Sequence, residues 1–377
     1  MNNVLKLIDF FPRNFFFTYK GRKLKKTVLG GVISLVTLLI VVINGLMIGK
    51  DIYLRENPLV VKYTRSEEYT PTFRFNNDKV KLGFGMSRNA QLFWDESVIQ
   101  VLPILFIEKL NKNNKYIYKE YFLETENCTR SDGDSIYYSN CIKDMDLFLS
   151  GSWTDEILSF IKLKLVRCSD HIITPGTNAN TPEDKLFLED FEKSLHLSQP
   201  SHYIYDTEYN KGINFYDKMR QMEKEKINKK PIKCKSEKEI SKILENNYWI
   251  NIVNQYIKPN PKNYTSPLKV DYNLDYYIFG NGFYKFVDII YKNYAMQTDK
   301  GIIFEETVLE DNKIGVGSII PDFVLKENND LLIEINFSMS KEVELTSRSY
   351  IKLQILAANL GGFINLCILV FTLLSRP

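Results

Sequence analysis

Residues 25–51 read KKTVLGGVISLVTLLIVVINGLMIGKD, an apolar run fenced by charge at both ends. The uncharged part, 27–49, would rise about 1.5 Å per residue as a helix and span roughly 34 Å, against a bilayer core of about 30 Å. The run therefore predicts a transmembrane helix. It is not read as a cleavable leader, because its apolar core is too long and no small-residue cleavage pattern follows it.

Working outward, a second uncharged apolar run covers 353–374 and predicts a second span. Ahead of the first run stand Lys6, Arg13, Lys20, Arg22, Lys23, Lys25 and Lys26 against the single acid Asp9, an excess that places the N-terminus in the cytosol. Two spans return the C-terminus to the same side. The expected plan is a cytosolic segment 1–26, helices at 27–49 and 353–374, a lumenal or extracellular domain at 50–352, and a cytosolic end at 375–377. About 300 residues can bury one large core or two ordinary ones. With 49 Lys and Arg against 46 Asp and Glu, the chain has a net charge of +3, which gives nucleic-acid binding no support.

The middle reads as β-rich. Val80, Leu82 and Phe84 alternate with polar or small neighbours. So do Ile161, Leu163 and Leu165 around Lys162 and Lys164, and Ile333, Ile335 and Phe337 around Glu334 and Asn336. Period two marks half-buried strands. Two apolar runs between Val98 and Phe122 flank Asn111-Lys112-Asn113-Asn114 and predict a hairpin. Residues 181–247 differ, being polar, lysine-rich and helical in pattern, with a Thr181-Pro182-Glu183-Asp184 helix start and a Ser236/Glu239 capping box. The expected fold is two transmembrane α-helices flanking a β-rich α+β domain, with β-sandwich-like sheets and a helical insertion.

Four cysteines, Cys128, Cys141, Cys168 and Cys234, lie between the runs, and Cys367 lies within the second. An even number in an oxidising compartment predicts two disulfides; of the three possible pairings the favoured one joins Cys128 with Cys141, which are close in sequence around a polar turn, and Cys168 with Cys234. Glycan acceptors are expected at Asn127, Asn263 and Asn336, each in an Asn-x-Ser/Thr triplet.

The two runs also carry small residues four apart: Gly45 and Gly49 in the first, Ala357 with Gly361 and Ala358 with Gly362 in the second. Such spacing lets helix backbones approach closely in lipid and predicts packing within the chain or with related two-span subunits. Asn44 and Asn359 fall at similar depth from one membrane face and are expected to hydrogen-bond. Chemistry is sparse: there is no P-loop, no H-E-x-x-H and no G-x-S-x-G, and the three histidines, His171, His196 and His202, are scattered. The chain is therefore not expected to be an enzyme, and no cofactor or metal is assigned.

Leu5, Asp9, Phe11, Pro12 and Arg13, followed by Thr27, Gly30 and Gly31, match the N-terminal pattern of a known group of proteins, and Arg348-Ser349-Tyr350 with Gly361-Gly362-Phe363 match its C-terminal one. Together with the weaker Ser201-His202-x-Ile204, these residues resemble the ERGIC family of cargo receptors that cycle between endoplasmic reticulum and Golgi. The resemblance implies an integral membrane protein with both termini cytosolic, a β-rich lumenal domain that binds secretory cargo proteins, and homo- or hetero-oligomers. The same layout also fits an oligomeric two-span ion channel at the plasma membrane, in which Asn359 and Asn365 would line the pore.

Overall fold

The computed structural model describes residues 13–374 except 20–21, 26–27, 68–71, 77–79, 81, 89–90, 93, 112, 133–134, 144–145, 152–154, 170–180, 198–231, 246–247, 281–282 and 326–329. The Leu5 to Pro12 motif, Thr27, His171, His202 and the Ser201 to Ile204 match lie outside the described residues.

A short hairpin, β1 (Arg13–Tyr19) and β2 (Arg22–Lys25), leads into α1 (Val28–Leu54). The helix runs five residues past the expected boundary at 49. It stops at Arg55, whose φ of 52° is left-handed and whose N–H bonds the Asp51 carbonyl at 3.1 Å, an end that satisfies a carbonyl of the last turn. Among the described residues, one helix is long and apolar enough to cross a membrane, over Gly31–Leu54. The C-terminal helix α4 (Leu353–Leu374) has 22 residues, and its described apolar run, Leu353–Cys367, is shorter than the roughly 20 residues that a bilayer core requires.

Between these helices the chain is mostly strand. The larger sheet has the order β16 (Thr307–Leu325), β15 (Phe283–Asp299), β17 (Leu331–Ser349), β12 (Ile157–Arg167), β7 (Ile99–Leu110) and β8 (Tyr116–Phe122). A seventh strand, β3 (Leu59–Ser66), pairs antiparallel with the last part of β17. The smaller sheet runs β14 (Leu268–Phe279), β13 (Tyr248–Pro259), β5 (Gly83–Arg88), β10 (Ser135–Ile142) and β9 (Thr125–Asp132), with β6 (Gln91–Leu92) on β5. A separate pair joins β4 (Phe73–Asn76) to β11 (Asp146–Leu149).

The alternating stretches find each other. Ile161 stands opposite Phe337, Leu163 opposite Ile335 and Leu165 opposite Ile333, and all six are buried in a core to which both sheets contribute. On the other face Lys162 sits 2.9 Å from Glu120 and over the Phe106 ring, so its stem covers apolar surface while its charge is paired. The β7/β8 turn forms as expected: the Asn111 Oδ1 accepts N–H bonds from Asn113 and Lys115, and Asn114 takes φ 56°. β15 and β17 run parallel, so the chain crosses over after the β15/β16 hairpin and returns on the far side of β15.

The helical insertion contains α2 (Pro182–Leu197) and α3 (Glu237–Leu244). Thr181 Oγ1 accepts the Asp184 N–H, and the Ser236/Glu239 capping box closes in both directions. Leu188 and Phe191 of α2 and Ile240 and Leu244 of α3 enter the main core.

Both expected disulfides are present, Cys128–Cys141 within the β9/β10 hairpin and Cys168–Cys234 from the end of β12 to the approach of α3, with Cys367 free. Peptide mapping without reduction should recover these two bridges and an alkylated Cys367. Phe337→Ala removes a fully buried ring and is expected to lower stability by about 3–5 kcal/mol, measured by denaturant unfolding in detergent; a loss below about 1 kcal/mol would place Phe337 outside a packed interior.

Candidate functional site

The β3–β17 ladder joins the strand that leaves α1 to the strand that enters α4, pairing Leu59 with Ser349 and Ser66 with Glu342. The two helix ends thereby meet one end of the larger sheet. A collar of charged and aromatic side chains is assembled there.

Its centre is Arg348 on β17, which has no exposed surface. Nε donates to Thr298 Oγ1 at 2.7 Å, Nη1 to the carbonyls of Pro261 and Asn263 at 2.9 and 2.8 Å, and Nη2 to the Tyr264 carbonyl at 3.0 Å and to Glu310. A guanidinium has five N–H donors, and all five are used. The plane also lies over the Tyr264 ring, 5.2 Å from its centroid.

Glu310 on β16 further accepts from Thr298 Oγ1 and pairs with Lys300 at 3.1 Å. Burial pushes its carboxyl upward, but the bonds from Thr298, Arg348 and Lys300 outweigh that and hold it below the ordinary 4.5. Asp299 behaves alike. Burial raises it, while Lys352 at 2.8 Å and the N–H groups of Glu306 and Gly301 hold it below 3.8. Lys352 immediately precedes α4, so this ion pair ties the start of the helix to the end of β15.

The α1 side is tied by Arg55. Nη1 bonds the Tyr264 hydroxyl at 2.7 Å and Nη2 the Lys300 carbonyl at 3.1 Å, with the guanidinium 5.2 Å from the Tyr264 ring and 5.6 Å from the Tyr350 ring. Tyr264 is thus held between two arginines. A cleft of about 500 Å³ opens beside the collar, lined by Tyr264, Thr265, Pro267, Lys300, Val308, Leu309 and Glu310.

Several expected site residues fall elsewhere. Asn336 is a correction: it is 3% exposed in the middle of β17 with its amide donating to Asp288, so no glycan can reach it in this fold. Asn127 and Asn263 are exposed, and the Asn263 Oδ1 accepts from the N–H and hydroxyl of Thr265. The Asn44–Asn359 bond is a second correction. Asn44 Nδ2 donates at 2.9 Å to the Ile40 carbonyl of its own helix, which satisfies it locally. The helices do pack on each other, with a β-carbon at Gly45 lying 3.6 Å from Leu360. Nothing lies within 4 Å of a β-carbon at Gly49, Gly361 or Gly362, and Ala357, Ala358 and Asn359 are exposed, so this small-residue face of α4 is not used against α1.

The collar itself was not legible as a site. Odd-numbered residues of β17 are buried from Ile333 to Met339 and again at Val343, but beyond it the buried positions are Thr346, Arg348 and, just past the strand, Tyr350. A strict period-two reading carries Arg348 to the exposed face. Its presence in the Arg348-Ser349-Tyr350 motif was the one signal that marked it.

Comparison with known proteins adds little. A family model described as the N-terminal domain of an uncharacterised 80 kDa protein matches residues 218–340, about a third of the chain. No curated protein matches the sequence. Among solved structures, the chain is similar to a proton-activated chloride channel determined by cryo-EM, with 9% identity over 92% of this chain and 100% of that one and a TM-score of 0.25. A superposition that loose describes neither fold nor function.

Arg348→Met should cost about 3–5 kcal/mol in a thermal or denaturant measurement, because it leaves the Pro261, Asn263 and Tyr264 carbonyls without their donor and Glu310 with Lys300 as its one remaining cation; a loss below about 1 kcal/mol would show that the guanidinium is not held in a buried site. Since the folded-state values of Glu310 and Asp299 lie below their unfolded ones, the collar's contribution is complete above the ordinary carboxyl range and is lost as pH falls through the lowered values. Glu310→Gln and Asp299→Asn should therefore flatten the acid side of a stability-against-pH curve; an unchanged acid limb would show that these carboxylates are not held.

Proposed function

We propose that this chain is a two-span cargo receptor of the early secretory pathway, with its β-rich domain in the lumen and both tails in the cytosol. The observation that carries the reading is the meeting of the α1 and α4 ends at one edge of the β-domain through the β3–β17 ladder and the collar. Two apolar helices leaving one face of a domain can enter one membrane together. In this reading the 22 residues of α4, about 33 Å long as a helix, return the chain that α1 carried across.

The two disulfides support a non-cytosolic domain, and the exposed Asn127 and Asn263 suit glycan attachment there. The terminal motifs that resemble the ERGIC family support the cargo role and a related two-span subunit as partner. For capture, β8 ends the larger sheet and exposes Tyr116, Ile117 and Tyr118. An extended client segment could add to that edge by main-chain bonds while its side chains meet the aromatic row.

A second reading is an oligomeric channel. It is favoured by the face of α4 carrying Ala357, Ala358, Asn359, Gly361 and Gly362, which is open to helices of another copy.

In sealed microsomes, the region between the helices should resist added protease, and Asn127→Gln and Asn263→Gln should each remove one glycosidase-sensitive mobility step while Asn336→Gln removes none. Co-isolation of secretory proteins with the chain, weakened by Tyr118→Lys, would agree with a receptor. Currents from the reconstituted protein that vanish with Asn365→Leu would replace that reading with the channel. Digestion of the middle region in sealed vesicles would overturn both.

A further inference from the structure

The turn between β15 and β16 carries Ile302, Ile303 and Phe304, which are 55%, 45% and 82% exposed. A single exposed apolar side chain is ordinary, but three in a row at a turn tip mark a surface that meets something other than water. The tip is not a loose excursion. Lys300 N–H bonds the Glu306 carbonyl at 2.8 Å, and Asp299 Oδ1 accepts from the N–H groups of Gly301 and Glu306. Gly301 is required for this closure, because a β-carbon there would lie 1.7 Å from the Phe304 carbonyl oxygen. The turn is built to hold its apolar side chains outward.

Its position is equally defined. The Ile302 carbonyl accepts the N–H of Leu353, the first residue of α4, at 2.9 Å. The Lys300 carbonyl accepts from Arg55, the residue that ends α1, and Tyr53 and Leu54 just before it are exposed as well. The tip therefore stands at the level where both apolar helices leave the β-domain. Charged Lys300, Glu305 and Glu306 flank it, giving an apolar point between polar shoulders.

We propose that Ile302, Ile303 and Phe304 form a third membrane contact, seated beside the two helices in the headgroup and acyl boundary of the leaflet they enter. The proposal rests on the two-span reading. Lipid is the occupant because the tip is hydrogen-bonded to the first residue of the apolar helix, so the lipid that surrounds Leu353 reaches Ile302 without a break. Interfacial apolar groups of this kind sit about 5–10 Å into that boundary, with their charged neighbours left in the headgroup zone. Three contacts define a plane, so the tip sets the tilt of the β-domain over the membrane, which two adjacent helix ends alone leave open.

The test uses the full chain with Cys367→Ser, carrying Phe304→Cys, Leu366→Cys or Asp322→Cys labelled with an environment-sensitive fluorophore and reconstituted into phosphatidylcholine vesicles; Asp322 is exposed on β16 at the end of the sheet remote from both helices. Some vesicles contain chains brominated near the headgroup and others chains brominated near the methyl end. Phe304 is mostly exposed, so its replacement disturbs no packing. The label at 304 should be blue-shifted relative to that at 322 and lose more intensity to shallow than to deep bromines. A label at 304 that matches the one at 322, or that is blue-shifted but insensitive to either bromine, would overturn the proposal, the latter by showing a contact with another copy of the chain. Deep quenching at 366 reports the second span separately. If 366 is unquenched, the two-span reading has failed, whatever happens at 304.

Discussion

A buried guanidinium must satisfy every N–H it carries, and Arg348 does so with groups from three separate parts of the chain. Thr298 lies near the end of β15, Glu310 near the start of β16, and the carbonyls of Pro261, Asn263 and Tyr264 belong to the loop between β13 and β14. Moving any one of them strands a charge without water. The last four residues before α4 are consequently held in one arrangement, and the helix direction with them.

That constraint reaches α1 through Tyr264, whose backbone serves Arg348 while its hydroxyl and ring serve Arg55. The cleft beside the collar shares Tyr264, Lys300 and Glu310 with it, so anything bound there touches the side chains that orient both helices. A receptor would use such a link to keep its binding domain upright over the membrane, and a channel would use it to transmit a change in the ectodomain to its helices. The collar suits either task. What separates them is the open small-residue face of α4, which matters only if other copies of the chain pack against it.

Much of the scaffold was legible in the primary structure because its signals are local. The alternation of Ile161, Leu163 and Leu165 and of Ile333, Ile335 and Phe337 marked two strands, and their mutual pairing follows from a common need to bury one face. Asn111 to Asn114 marked a turn and Ser236 with Glu239 marked a helix start, each through bonds between near neighbours. Asn336 was misjudged for the opposite reason. Its triplet is a local pattern, whereas its burial comes from strands 48 and 174 residues away, around Asp288 and Lys162.

Sequence alone determined the β-rich interior and one helix able to cross a bilayer, since hydrophobic period and run length are properties of the chain before it folds. Tertiary structure decided that Arg348 is buried, that β3 and β17 draw the two helix ends together, and that Ile302 to Phe304 stand beside them. Each of those depends on hydrogen bonds between segments far apart in the chain. No window of residues carries that information, because the energy that enforces it is shared among groups that meet only in the folded molecule.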